Sequence, residues 1–155
     1  SGDAPRYYWA TMTPHDDEDL ARIRRHVADR AGMDFITVER SFDLPAALPA
    51  LDRHGTVLFD SVTACQSEQM FHGPAPDAGE ANQELRELIE ISRYPAHFIA
   101  VCDDIWHGGE DYRDWTEVYV RGLADICQGL AAEFDVVCEM TAGLPHLWKG
   151  ELPRV

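Results

Sequence analysis

The sequence predicts an α/β fold built on a mostly parallel sheet, and two observations carry that prediction. Short apolar runs alternate with segments of helical period along the chain. One run, Thr56-Val57-Leu58-Phe59-Asp60, is almost wholly apolar and ends in an acid, the pattern of a strand buried in a parallel sheet.

The elements follow in order. Tyr7 to Thr11 reads as a strand. Asp16 to Arg30 carries Leu20, Ile23 and Val27 at helical spacing, and its acidic start (Asp16, Asp17, Glu18, Asp19) complements the helix dipole. Gly32 stops that helix, Phe35 to Glu39 forms the next strand, and Leu44 to Leu51 holds a short helix. After the Thr56–Asp60 strand a helix runs through Gln69 and Met70. Residues 72–79, rich in Gly and Pro, form the most loop-like stretch and the best candidate for a mobile segment. Glu80 to Ser92 is a helix, His97 to Cys102 a buried strand, and Thr116 to Phe134 a long helix. Val136 to Thr141 is a last strand, closed by Gly143 and Pro145.

A chain of 155 residues suits one compact domain, and a 45% hydrophobic composition supplies a core. Lys and Arg total 13 against 28 Asp and Glu, a formal charge of −15 that argues against nucleic acid and anionic membrane surfaces as partners. No apolar run is long enough to span a bilayer and no export signal opens the chain, so a cytoplasmic protein is expected. The four cysteines (Cys65, Cys102, Cys127, Cys138) are widely spaced, signalling neither a zinc site nor a disulfide framework, and Cys65 reads as a small buried hydrophobe. Trp9 and Trp148 read as packing residues or cleft walls. His107, Glu110 and Asp111 lie in a Gly-rich polar stretch that explains them as well as a metal would.

In an open α/β sheet, ligands bind beyond the carboxyl ends of the strands. Those ends carry Thr11-Met12-Thr13, Glu39, Asp60-Ser61-Val62-Thr63 and Cys102-Asp103-Asp104. An apolar strand that delivers an acid at its tip follows the logic of a Mg²⁺-organising aspartate, although such acids also serve as caps and turn residues. Arg22, His26 and Arg30, spaced four apart, share one helix face. Two guanidiniums beside an imidazole form an anion slot that disfavours a further positive charge, and a neutral imidazole beside bound phosphate can act as a nucleophile. The alternative is a solvated basic stripe opposite Leu20, Ile23 and Val27.

These segments, Y-Y-W-A-T-M-T-P, R-I-x-x-H-x-x-x-R, F-x-T-V-E and V-L-x-D-S-V-T, together with V-C-D-D-I and the closing G-L-P-x-x-x-K-G, carry a resemblance over nearly the whole chain. The sequence resembles the bifunctional adenosylcobinamide kinase / adenosylcobinamide-phosphate guanylyltransferases of cobalamin biosynthesis. The resemblance implies a P-loop NTPase-like (RecA-like) fold, Mg²⁺ as cofactor, GTP or ATP as co-substrate, adenosylcobinamide as acceptor and a homotrimer. It further implies that His26 accepts GMP from GTP. Thr11, Met12 and Thr13 correspond to a nucleotide-contacting turn, Val27, Ala28, Asp29 and Arg30 to the segment beside the nucleophile, and Glu39 and Asp60 to acidic strand ends, Asp60 taking the metal.

Two departures accompany the resemblance. The family opens with a strand and a G-x-x-x-x-G-K-[ST] loop, and the sequence given starts at Ser1-Gly2-Asp3 without one. A fragment lacking its first strand and helix is the favoured explanation, because losing a central strand would uncover sheet edges. A catalytically silent homologue that binds nucleotide, corrinoid or a partner subunit is the alternative. Asp103, where the family usually has asparagine, adds a carboxylate that repels phosphate.

Overall fold

The computed structural model describes residues 4–75, 77, 79–105 and 114–152, apart from the side chains of Asp114 and Trp115. Its elements are β1 (Arg6–Ala10), α1 (Asp17–Asp29), β2 (Phe35–Glu39), a 3-10 segment (Leu44–Ala50), β3 (Thr56–Asp60), α2 (Val62–Met70), α3 (Glu80–Ser92), β4 (His97–Val101), α4 (Asp114–Glu133), β5 (Val137–Thr141) and β6 (Leu144–Lys149). The expected architecture is therefore present: an α/β fold of the P-loop NTPase-like type, its sheet flanked by helices. His107, Glu110 and Asp111 lie outside the described residues, as do residues 76 and 78 of the loop-like stretch.

The main sheet has the order β2-β1-β3-β4, with every pairing parallel. In-register residues point to the same side, so Tyr7, Trp9, Val57, Phe59, Phe98 and Ala100 share one face. That face carries the core. Trp9, Val57 and Phe59 are fully buried against Leu44 of the 3-10 segment, Cys65 of α2, Leu88 and Ile91 of α3, and Leu123 and Ile126 of α4. Trp9 and Phe59 meet with ring centroids 5.6 Å apart, a contact worth about 1 kcal/mol beyond the area it buries. The indole N–H of Trp9 donates to the Arg40 carbonyl at 2.8 Å, so burial leaves no polar atom stranded there.

The opposite face carries Tyr8, Leu58, Ile99, Ala10, Glu39, Asp60 and Val101. Here α1 lies against the strand ends, with the Arg30 guanidinium 3.3 Å from the centre of the Tyr8 ring. Asp16 caps α1, its carboxylate accepting the Asp19 N–H at 2.8 Å, and Asp17, Glu18 and Asp19 occupy the first turn as the dipole favours. None of the thirteen residues of α1 is buried, and Leu20 and Val27 remain 38% and 57% exposed. Over β4, Ile99 and Val101 on this face are also exposed.

One expectation needs correcting. Gly143 and Pro145 do not end the last strand; they belong to a hairpin in which β5 pairs antiparallel with β6. Ala142 and Gly143 both take positive φ (50° and 78°), the backbone of a tight two-residue turn whose twist matches the flanking strands. Pro145 is tolerated because β6 is an edge strand. All six residues of β6 are exposed, so no apolar alternation marked the strand in the sequence. Trp148 is likewise 67% exposed rather than packed, its N–H donating to Glu139. The sole lysine, Lys149, ties the hairpin to α4 by donating to the carbonyls of Ala131 and Ala132, at the helix end that favours positive charge.

Candidate functional site

The chain path locates a crevice before any side chain is considered. From β1 the chain crosses to β2 on one side, and from β3 it crosses to β4 on the other, so the strand order reverses between β1 and β3. In open α/β sheets the gap above the strand ends at such a reversal is the ligand site. Here those ends are Ala10-Thr11-Met12 and Asp60-Ser61.

Thr11 stitches the two strand ends together. Its hydroxyl donates to the Ser61 carbonyl at 2.8 Å and accepts the Ser61 N–H at 2.9 Å, with Thr11 only 2% exposed. Its side chain is thus committed to the scaffold and not presented to a ligand. Ser61 caps α2 by accepting the Ala64 N–H, and its hydroxyl donates to Asp103 at 3.2 Å. That bond draws the end of β4 into the same crevice.

Immediately above lies a cavity of about 150 Å³ lined by Tyr8, Met12, Arg22, His26, Arg30, Glu39 and Asp60, among others. Six of the sequence-derived candidates, from α1 and its C-cap, β2, β3 and the turn after β1, therefore border one space: Met12, Arg22, His26, Arg30, Glu39 and Asp60. Thr13 borders a larger adjoining cavity of about 630 Å³, which shares Met12, Arg22, Ala64 and Asp103 with the first. Phe42, Phe71 and Tyr119 give the larger cavity aromatic walls. Val27, Ala28 and Asp29 are exposed on α1 and border neither cavity.

The electrostatics differ from a simple arginine–histidine–arginine slot. Arg22 is ion-paired with Asp19 at 2.6 Å. The His15 backbone N–H and then Arg22 hold the Asp19 carboxyl below its ordinary range. Arg30 sits over the Tyr8 ring in a cation–π contact that holds its charge at the edge of the cavity. Tyr8 in turn donates its hydroxyl to Asp60 Oδ2 at 2.5 Å. Burial, and then that bond to a carboxylate, push the phenol well above its usual range, so Tyr8 stays a neutral donor throughout. Asp60 is thereby fixed in orientation, with Oδ1 not used by the bond.

Tyr8 is the site residue that sequence reasoning missed; the strand reading treated it only as part of β1. The signal was a tyrosine two residues before the strand end, on the face shared with Asp60. Only the pairing of β1 with β3 turns that into a contact across 52 residues. Glu68 was missed as well: it accepts from the Thr13 N–H and meets His15 at 3.0 Å, pinning the turn after β1 to α2.

A reversal-point crevice on a parallel sheet flanked by helices defines an α/β protein of the P-loop NTPase-like class, with arginines, a histidine and strand-end acids bordering the crevice. The family model described as CobU, cobinamide kinase / cobinamide phosphate guanyltransferase, matches residues 1–147, and the chain belongs to that family. A search of the curated proteins gave no match. Membership places the chain in cobalamin biosynthesis, with cobinamide and a nucleotide as the family's substrates.

Proposed function

We propose that the chain catalyses guanylyl transfer to a cobinamide phosphate through a guanylylated His26. The observation that carries this reading is the convergence of His26, Arg22, Arg30, Glu39 and Asp60 on one cavity at the reversal point. An imidazole nitrogen of His26 attacks the α-phosphorus of GTP. The bond to the bridging oxygen breaks, and pyrophosphate leaves with the electron pair. A phosphate oxygen of the acceptor then attacks the same phosphorus, the P–N bond breaks, and the electron pair returns to the imidazole. Arg30, and Arg22 on exchanging Asp19 for phosphate, balance the charge on the equatorial oxygens.

Mg²⁺ suits this donor set. No group of three or more His, Cys, Asp or Glu arranged to hold a metal occurs among the described residues. Mg²⁺ held with nucleotide phosphates, however, needs only one or two protein carboxylates. Asp60, which borders the cavity, is the residue that would hold it, while Tyr8 occupies Oδ2. When bound, the ion would neutralise phosphate charge, a need sharpened by the net charge of −15.

The larger aromatic-walled cavity receives the acceptor on this reading, and its shared wall with the smaller one brings the acceptor phosphate toward His26. The kinase reaction, with GTP or ATP as donor, the homotrimer and the cytoplasmic setting belong to the same proposal through the family resemblance. Intact-mass measurement after incubation with GTP and Mg²⁺ tests it. The expected result is an acid-labile gain of one GMP that is lost in His26→Ala. A folded wild-type protein that binds GTP yet gains no GMP, or an adduct that persists in His26→Ala, would overturn it.

A further inference from the structure

Beyond the cavities, one pair of side chains has a chemistry that guanylyl transfer does not use. Cys102 follows directly on β4, and Cys127 sits in the middle of α4. Their sulfurs are 3.4 Å apart although 25 positions separate them in sequence. Cys102 is exposed and Cys127 half-buried, so both can meet a small oxidant, whereas Cys65 is fully buried. We propose that Cys102 and Cys127 form an oxidisable dithiol, which closes to an intrachain disulfide and thereby resets the polar cluster at the mouth of the nucleotide site.

The pair is asymmetric in the way such chemistry requires. The Cys127 S–H donates to Cys102 Sγ, and Thr63 Oγ1 lies 3.6 Å from the same sulfur. The hydrogen bond from Cys127, and then that from Thr63, lower the Cys102 thiol below its ordinary range against opposing burial. The Cys127 thiol is pushed up by the same hydrogen bond and by burial. Cys102 is therefore the thiolate that reacts first and Cys127 the resolving thiol.

With a peroxide as oxidant the steps balance. Cys102 thiolate attacks a peroxide oxygen, the O–O bond breaks, and Cys102 becomes a sulfenic acid as the released hydroxide takes a proton. The sulfur of Cys127 then attacks the Cys102 sulfur, the S–S bond forms and the S–O bond breaks. The hydroxide leaves as water with the Cys127 proton. Two thiols and one peroxide give one disulfide and two waters, with two electrons passing from sulfur to oxygen.

The consequence for the site follows from what Cys102 touches. A disulfide of about 2.05 Å needs the sulfurs to close by about 1.3 Å from their present 3.4 Å separation. That movement draws Cys102 Sγ toward Cys127 on α4 and disturbs its contact with Thr63 Oγ1. Thr63 Oγ1 also accepts the Asp103 N–H at 2.8 Å, and the Asp103 carboxylate accepts from Ser61 at the head of α2. Thr63 and Asp103 border the larger cavity, and Asp103 also borders the smaller one. Closing the disulfide therefore pulls on the Asp103 carboxylate that overlooks the nucleotide site. This functional consequence rests on the guanylyl-transfer reading, whereas the disulfide itself does not.

The test treats the full chain with hydrogen peroxide, quenches it with N-ethylmaleimide, and measures intact mass and disulfide-linked peptides. The expected result is loss of two hydrogens, a single Cys102–Cys127 linkage, reversal by dithiothreitol, and no linkage in Cys127→Ser or Cys102→Ser. GMP loading should fall several-fold in the oxidised protein, recover on reduction, and be insensitive to peroxide in Cys102→Ser, which lacks the thiolate that reacts first. Sulfinic acid at Cys102 without a linkage, or linkages that run between molecules, would overturn the dithiol. A Cys102–Cys127 linkage that leaves GMP loading unchanged would overturn its connection to the site. Absence of loading even in reduced wild type would count against the guanylyl-transfer reading and leave the linkage result standing.

Discussion

Glu84 lies in the middle of α3 with no exposed surface, and neither of its carboxyl oxygens has a hydrogen-bond partner among the described residues. Burial raises its pKa from an ordinary 4.5 to about 9; the Cys65 thiol beside it offsets part of this, and the charges of Cys102, Glu87 and Glu80 add to it. At neutral pH the folded protein holds a proton on Glu84 that the unfolded chain releases. Because the folded pKa is the higher, this group favours folding most below pH 4.5 and progressively less as pH rises toward 9. The slope is roughly 1.4 kcal/mol per pH unit inside that window, amounting to a loss of about 3 kcal/mol between pH 4.5 and pH 7. Glu84→Gln is neutral at every pH and removes the slope. The added amide N–H groups impose an offset of about 1–3 kcal/mol that does not vary with pH. Urea unfolding of both proteins at pH 5.5, 6.5 and 7.5 reads the difference directly. Glu84→Gln should gain on wild type by roughly 1.4 kcal/mol for each pH unit, whatever the offset. Parallel stability curves would mean that Glu84 ionises alike in both states, and the argument from burial would fail.

Two further substitutions probe the crevice. Thr11→Val keeps shape but strips both hydrogen bonds from the Ser61 backbone, leaving its buried N–H unpartnered while the carbonyl keeps the Cys65 N–H at 3.0 Å. Chemical denaturation should show a loss of about 1–3 kcal/mol, and a change below about 0.5 kcal/mol would show that the strand ends are not held this way. Tyr8→Phe retains the ring beneath Arg30 but frees Asp60 Oδ2. It should cost about 1.5–3 kcal/mol of stability and weaken Mg²⁺-dependent nucleotide binding in a calorimetric titration, and unchanged binding would detach Asp60 from the metal role.

The parts of the fold legible in the sequence are those where burial wrote a period into the residues. β2, β3 and α3 have the bounds their apolar patterns give, and the acidic run at 16–19 marked the start of α1. β6 was illegible because a wholly exposed edge strand carries no such period. At the site, the arginine–histidine face was visible from helical spacing, and the strand-end acids from sheet logic. Contacts that depend on which strands are neighbours were not visible. Tyr8 with Asp60 and Cys102 with Cys127 are separated by 52 and 25 positions, and neither spacing belongs to any local pattern. The commitment of Arg22 to Asp19 was within reach, three residues apart on one helix, and it shows that the anion slot is prepaired with its own carboxylate.

The exposure of α1 has a thermodynamic consequence. A helix that buries no residue is held by its cap, by the Arg30–Tyr8 stack and by its ends, and the free energy needed to detach it is far below that of the sheet beneath. Its amide protons should exchange with solvent through local opening, ahead of those of α3 and α4. A nucleotide seated between α1 and the strand ends would tether it at Arg22 and Arg30. Part of the binding energy would then be spent on ordering the helix that carries His26, and ligand occupancy and helix protection would rise together.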